Sequence, residues 1–173
     1  MAKKILGGAF TIYNGVSRNC ITRLNSDGTL DQSFNPGTGC TNFFTSYNPT
    51  YVHTIAVQSD GKIIVAGNFL KYNGFICNGL VRLNSDGSID KSFNVGSGLN
   101  APAFKVLIQP NGKILIAGNF TTYNGVSRSR IARIHANGSL DTTFKPGSGF
   151  NNYVKTITLL SNGKIMVGGI FNT

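Results

Sequence analysis

The chain has no tryptophan and no glutamate, and its six acidic residues, all aspartate, stand against 16 lysines and arginines for a net charge of +10. That scarcity limits acid–base chemistry, because glycosidase-type catalysis needs a pair of carboxyl groups held in different environments. Asp27, Asp31, Asp60, Asp86, Asp90 and Asp141 all lie in or beside recurring turn signals, which leaves none for an asymmetric site. The two histidines, His53 and His135, fall at unrelated positions. They form no metal-binding cluster with the carboxylates and supply no base for a Ser or Cys nucleophile. The expectation is a protein without catalytic residues, metal or cofactor. Cysteine is scarce as well: Cys20, Cys40 and Cys77 lack C-x-x-C spacing and read as free thiols. No run approaches the roughly 18–20 apolar residues of a membrane helix, and the opening MAKKILGGAF lacks the apolar core of a signal peptide. What is abundant is glycine, 22 residues, with many asparagines and 40% hydrophobic residues, the composition of a globular chain of short strands and tight turns.

The dominant signal is internal repetition. KIIVAGNF at Lys62 to Phe69, KILIAGNF at Lys113 to Phe120 and KIMVGGIF at Lys164 to Phe171 recur at intervals of 51 residues. A further copy, KKILGGAF at Lys3 to Phe10, precedes its successor by 59 residues, which places an eight-residue insertion within 38–51. Tyr-Asn-Gly recurs at Tyr13, Tyr72 and Tyr123, and NSDGTLDQSF, NSDGSIDKSF and HANGSLDTTF end at Phe34, Phe93 and Phe144. The chain thus reads as one repeat domain, 1–173: unit one is 1–50, unit two 51–101, unit three 102–152, and a partial unit spans 153–173.

Within unit two the pattern predicts four strands. The first, His53 to Gln58, alternates apolar and polar residues and ends at the hairpin signal Asp60-Gly61. The second is Lys62 to Phe69. A loop containing Tyr72-Asn73-Gly74 leads to a third around Leu80 to Leu83, and after Asp86-Gly87 a short fourth ends at Phe93. Four strands in about 50 residues match one propeller blade. The expected fold is all-β: three four-stranded blades plus part of a fourth.

The combination G-K-I-x-[VI]-[AG]-G-x-F, Y-N-G and R-[LI]-N-x-[DN]-G-x-[LI]-D-x-[ST]-F resembles the delta-60 repeat, a β-propeller-type repeat of poorly characterised function. The likeness covers the chain apart from the insertion. Unit three departs at His135 and Asn137, and Cys77 stands where the neighbouring units have Arg18 and Arg128. The resemblance implies binding or scaffolding rather than catalysis, in bacterial surface or secreted proteins or in phage structural proteins.

Two sets of residues are candidate ligand sites. Equivalent positions of successive blades share a face, so Tyr13, Tyr72 and Tyr123 would form a ring of aromatic groups suited to glycans. The alternative, that each Tyr packs on its own blade while Asn-Gly makes the turn, needs fewer assumptions. The insertion adds Phe43, Phe44 and Tyr47, on the kind of loop where function concentrates. Among the bases, Lys3, Lys62, Lys113 and Lys164 define a candidate anion-binding ring, with Arg23, Arg82 and Arg133 at another level. Such a ring could attract polyanions, although no nucleic-acid motif accompanies it and the arginines have turn aspartates available as partners. Asn25 to Asp31 and Asn84 to Asp90 superficially resemble a calcium loop but are accounted for by turn chemistry.

Three blades do not close a ring, and an open blade exposes strand edges. Self-association is therefore expected, either as a homodimer closing a six-bladed ring or through the remaining blades of a longer chain. Tyr153 to Phe171 would complete a partner's Ile21 to Phe34, leaving one second-strand copy surplus.

Overall fold

A computed structural model describes residues 3–42 and 49–172. Unit one contains β1 (Lys4–Gly7), β2 (Ile12–Tyr13), β3 (Val16–Ser17) and β4 (Ile21–Leu24), and β5 (Cys40–Thr41) leads onward. Unit two contains β6 (Tyr51–Val57), β7 (Ile63–Asn68), β8 (Lys71–Tyr72), β9 (Phe75–Ile76) and β10 (Leu80–Leu83). In unit three the order recurs as β11 (Ala103–Ile108), β12 (Ile114–Gly118), β13 (Thr122–Tyr123), β14 (Val126–Ser127) and β15 (Ile131–Ile134). The partial unit supplies β16 (Val154–Leu159) and β17 (Ile165–Gly169), and every regular element among the described residues is a strand.

Each full blade is an antiparallel sheet with its second strand central, β6–β7–β10 and β11–β12–β15. The expected fourth strand is reduced to one bridge per unit, Leu24↔Leu30, Leu83↔Ile89 and Ile134↔Leu140. The cause is the aspartate that follows. After pairing with Arg82 through its amide, Asp90 accepts the Ser92 amide on its carboxylate, and this turns the chain away from the sheet. The Tyr-Asn-Gly segment, expected as a loop, is a short hairpin instead, β8 against β9 with Tyr72 opposite Phe75. Asn73 and Gly74 both take positive φ, 45° and 82°, which is what the tightest hairpin turn requires.

Successive side chains of a strand point to opposite faces, and here both faces are covered. Ile64, Ala66, Leu80 and Phe93 of unit two pack against Ile114, Ile116, Phe120 and Tyr123 of unit three. The same pairing places Ile21 and Phe34 of unit one on Ile63 and Val65 of unit two, and Leu115 and Ala117 of unit three on Val154 and Ile157. A strand sandwiched in this way loses apolar–polar alternation, which explains why the second strands read as continuous apolar runs.

Each first strand carries a β-bulge near its start. Val52 pairs with Gly67 and Thr54 with Ala66, so His53 is the extra residue; Phe104 and Lys155 are extra in β11 and β16. The glycine opposite is obligatory, since a Cβ on Gly67 would lie 2.1 Å from the Tyr51 carbonyl oxygen.

Candidate functional site

Each of units one to three holds one buried carboxylate clamped by two cations. Asp90 Oδ2 receives Lys62 Nζ at 2.7 Å and Arg82 Nε at 2.8 Å. Asp31 is met by Lys3 at 2.8 Å and Arg23 at 2.5 Å, and Asp141 by Lys113 at 2.9 Å and Arg133 at 2.7 Å. The other carboxylate oxygen accepts the hydroxyl of Ser33, Ser92 or Thr143, at 2.7, 2.7 and 2.6 Å. All three carboxyls are held well below the usual range. At Asp31 the Lys3 hydrogen bond dominates, and at Asp141 those from Thr143 and Lys113. At Asp90 burial is the largest influence and pushes upward, but Lys62, Ser92 and Arg82 together outweigh it. Two of the arginines then reach into the following blade, Arg23 Nη1 donating to the Ser85 carbonyl and Arg82 Nη1 to that of Ala136.

This corrects the anion-binding ring. Lys3, Lys62 and Lys113 spend their charge on internal carboxylates, a partnership the sequence reading assigned only to the arginines. Lys164 is exposed and carries no ion pair among the described residues. The calcium-like turns resolve as turn chemistry. Asp27 and Asp86 accept the amide and hydroxyl of the residue two positions on, and Asn137, without charge, does the same for Ser139.

The candidate aromatic ring of Tyr13, Tyr72 and Tyr123 is not formed; each Tyr packs on its own blade, the alternative that needed fewer assumptions. Tyr72 and Tyr123 are fully buried and Tyr13 is half-buried. Their hydroxyls donate to the carbonyls of Gly28, Gly87 and Gly138, at 2.8, 2.8 and 2.5 Å, tying each hairpin to the Asp-Gly or Asn-Gly turn of its own blade. Burial pushes the Tyr72 and Tyr123 phenols far up. Phe43, Phe44 and Tyr47 lie outside the described residues. The cysteines, unrelated in sequence, share the core between units one and two, where burial raises Cys20 to about 11 and Cys77 to about 12.

What does form a continuous surface feature is the row of bulge residues. The His53 and Phe104 rings meet edge to face at 5.2 Å, and Lys155 Nζ sits 4.4 Å from the Phe104 centroid. Tyr51 stacks on His53 at 5.7 Å and Tyr153 abuts Phe104 at 5.9 Å. Burial first, then the Lys155 charge, lowers the His53 pKa. Sequence reasoning missed this row, because a bulge breaks the simple alternation; the recurring glycine of A-G-N was its only mark.

Beside the row, between units two and three, opens a groove of about 560 Å³, whose lining includes Gly67, Asn68, Asn78, Gly79, Asn100 and Pro102. No group of three or more His, Cys, Asp or Glu residues among the described residues is placed to hold a metal ion.

These blades, stacked face to face with clamped carboxylates, are propeller repeats. The chain belongs to the family described as "Domain of unknown function (DUF5122) beta-propeller", whose profile matches residues 3–34, 58–93 and 109–144. Neither a curated protein nor a solved structure matches the chain.

Proposed function

We propose that the chain is a non-enzymatic scaffolding module that assembles with copies of itself by continuing its own blade-on-blade packing. Such a module suits a surface adhesin or a virion-associated assembly, the settings implied by the likeness to delta-60 repeats. The observation that carries this reading is the uncovered face of the β16–β17 sheet. Ile64 and Leu115 are 0% exposed beneath the following blade, whereas Met166 at the equivalent position is 57% exposed. The other end offers the complementary face, with the half-buried Leu6 and Phe10 at the positions where Val65 and Phe69 receive the preceding blade. A head-to-tail contact between these faces would repeat packing the chain already uses three times, and two chains joined at both ends form a closed ring. The clamped aspartates support the non-enzymatic part, since each is committed to structure.

Light scattering over a concentration series tests the assembly. The wild-type chain should gain mass with concentration, and Met166→Asp should shift it to monomer while leaving the melting temperature of the monomer unchanged. A wild-type chain that stays monomeric to about 100 μM, a concentration at which even a weak interface with Kd near 10 μM would be occupied, would overturn the reading.

A further inference from the structure

We propose that the groove between units two and three is a binding site for a neutral saccharide. It is separate from the stacking faces, so it stands or falls independently of the assembly.

The argument starts from three equivalent junctions with three different residues at one position. Cys20, Gly79 and Arg130 occupy the same place at the start of the third strand, all with positive φ, 64°, 80° and 70°. At the first junction the Cys20 thiol points across and donates to the Thr50 carbonyl at 3.4 Å. At the third, the Arg130 guanidinium fills the space. Its Nη1 donates to the backbone carbonyl of Asn119 and, at 2.9 Å, to that residue's Oδ1, and its Cζ lies 5.9 Å from the Tyr153 ring centroid. Asn119 and Tyr153 are the counterparts of Asn68 and Pro102, which line the groove. Only at the second junction is the side chain absent, and there the groove opens. Its volume of about 560 Å³ is in the range of small-molecule sites.

The chemistry of the walls selects the ligand. In a chain of net charge +10, none of the described residues lining this groove is ionisable. A charged ligand would lose water and gain no counter-charge. The polar walls are instead Asn, Ser and Thr with glycine backbone, groups that both donate and accept, as sugar hydroxyls do. Several are held in place. Asn78 Nδ2 donates to the Ser97 carbonyl at 2.8 Å, and Asn100 Oδ1 accepts the Thr121 and Thr122 amides at 2.8 and 3.0 Å. Fixed polar groups reduce the ordering cost of binding. Between them Leu70, Ala101 and Pro102 give small apolar patches suited to the C–H face of a pyranose.

The test uses the isotope-labelled chain and its amide resonances at Gly79, Gly98, Asn100 and Thr122. Cellotriose, maltotriose, mannotriose and chitotriose are the neutral probes, with trigalacturonate and triglycine as charged and non-sugar controls. At least one neutral trisaccharide should shift these resonances with a Kd of about 1 mM or tighter. Gly79→Arg and Gly79→Cys, which copy the plugs of the neighbouring junctions at a φ those residues already tolerate, should weaken it at least about tenfold. Thr122→Arg should do the same from the opposite wall without touching a positive-φ position. The proposal is overturned if no neutral probe shifts these resonances at about 10 mM, if the plugged variants bind as the wild type does, or if either control binds equally well.

Discussion

The aspartate is the residue on which each blade turns, and its two environments in the repeat give opposite expectations. Asp141 is wholly buried with Lys113 and Arg133 on one oxygen. Asp141→Asn leaves those cations facing an amide and should cost about 3 kcal/mol in urea unfolding, the lower end of the range for breaking a buried pair because both cations retain some water. Asp60→Asn should stay within about 0.5 kcal/mol. Asp60 only accepts the Lys62 amide at 3.0 Å, and Asn111 and Asn162 already do this for Lys113 and Lys164 at 3.1 and 3.0 Å. The pH dependence has one sign throughout. The clamped carboxyls titrate lower in the folded chain than in the unfolded one, so their contribution is complete above about pH 4 and is lost as pH falls below it. His53 is lowered too, so its contribution is complete above its unfolded value of about 6.5 and declines below that. A melting-temperature series should therefore show a small decline from about pH 6.5 that His53→Gln removes, and a steep one below about pH 4 that it does not. Sequence revealed that the aspartates belong to the repeat and could pair with the arginines, but not that a lysine joins them, because Lys62 and Asp90 are 28 residues apart and meet only when the blade folds.

At the scale of elements, the second strands and Asp-Gly turns were legible because apolar runs and turn pairs are local signals. The bulge was not. A one-residue excess in β6 leaves the composition unchanged and shows only as a glycine on the partner strand. Gly67→Ala tests that account: a Cβ there would meet backbone, which cannot swing away as a side chain does. The variant should lose about 3 kcal/mol and displace His53 from Phe104, visible as a change in the His53 ring resonances. If stability and resonances stay as in the wild type, the bulge is not held by the glycine. The buried tyrosines illustrate the same limit in reverse. Repetition correctly placed Tyr72 and Tyr123 at equivalent positions, but equivalence says nothing of which way a side chain points, and a hairpin that folds back on its blade turns them inward.

For the molecule as a whole, the repeat count was readable from sequence and the exposed last face follows from it, since a stack of identical units buries each face only with the next one. The groove was not readable, because it arises from a single missing side chain among three equivalent junctions rather than from any motif. The arginine links add a direction to this stack. Arg82 is oriented by Asp90 in its own blade yet bonds to the Ala136 carbonyl of the following one, and Arg23 does likewise toward Ser85. Units one and two therefore each grip their successor with a hand steadied by their own carboxylate, whereas Arg133 bonds to Asp141 and Thr143 within unit three. Neutralising Asp31 or Asp90 should therefore loosen the junction downstream more than the one upstream. In an open stack such damage travels one way and stops at the end; in a closed ring every blade is both holder and held, and no junction is the terminal one.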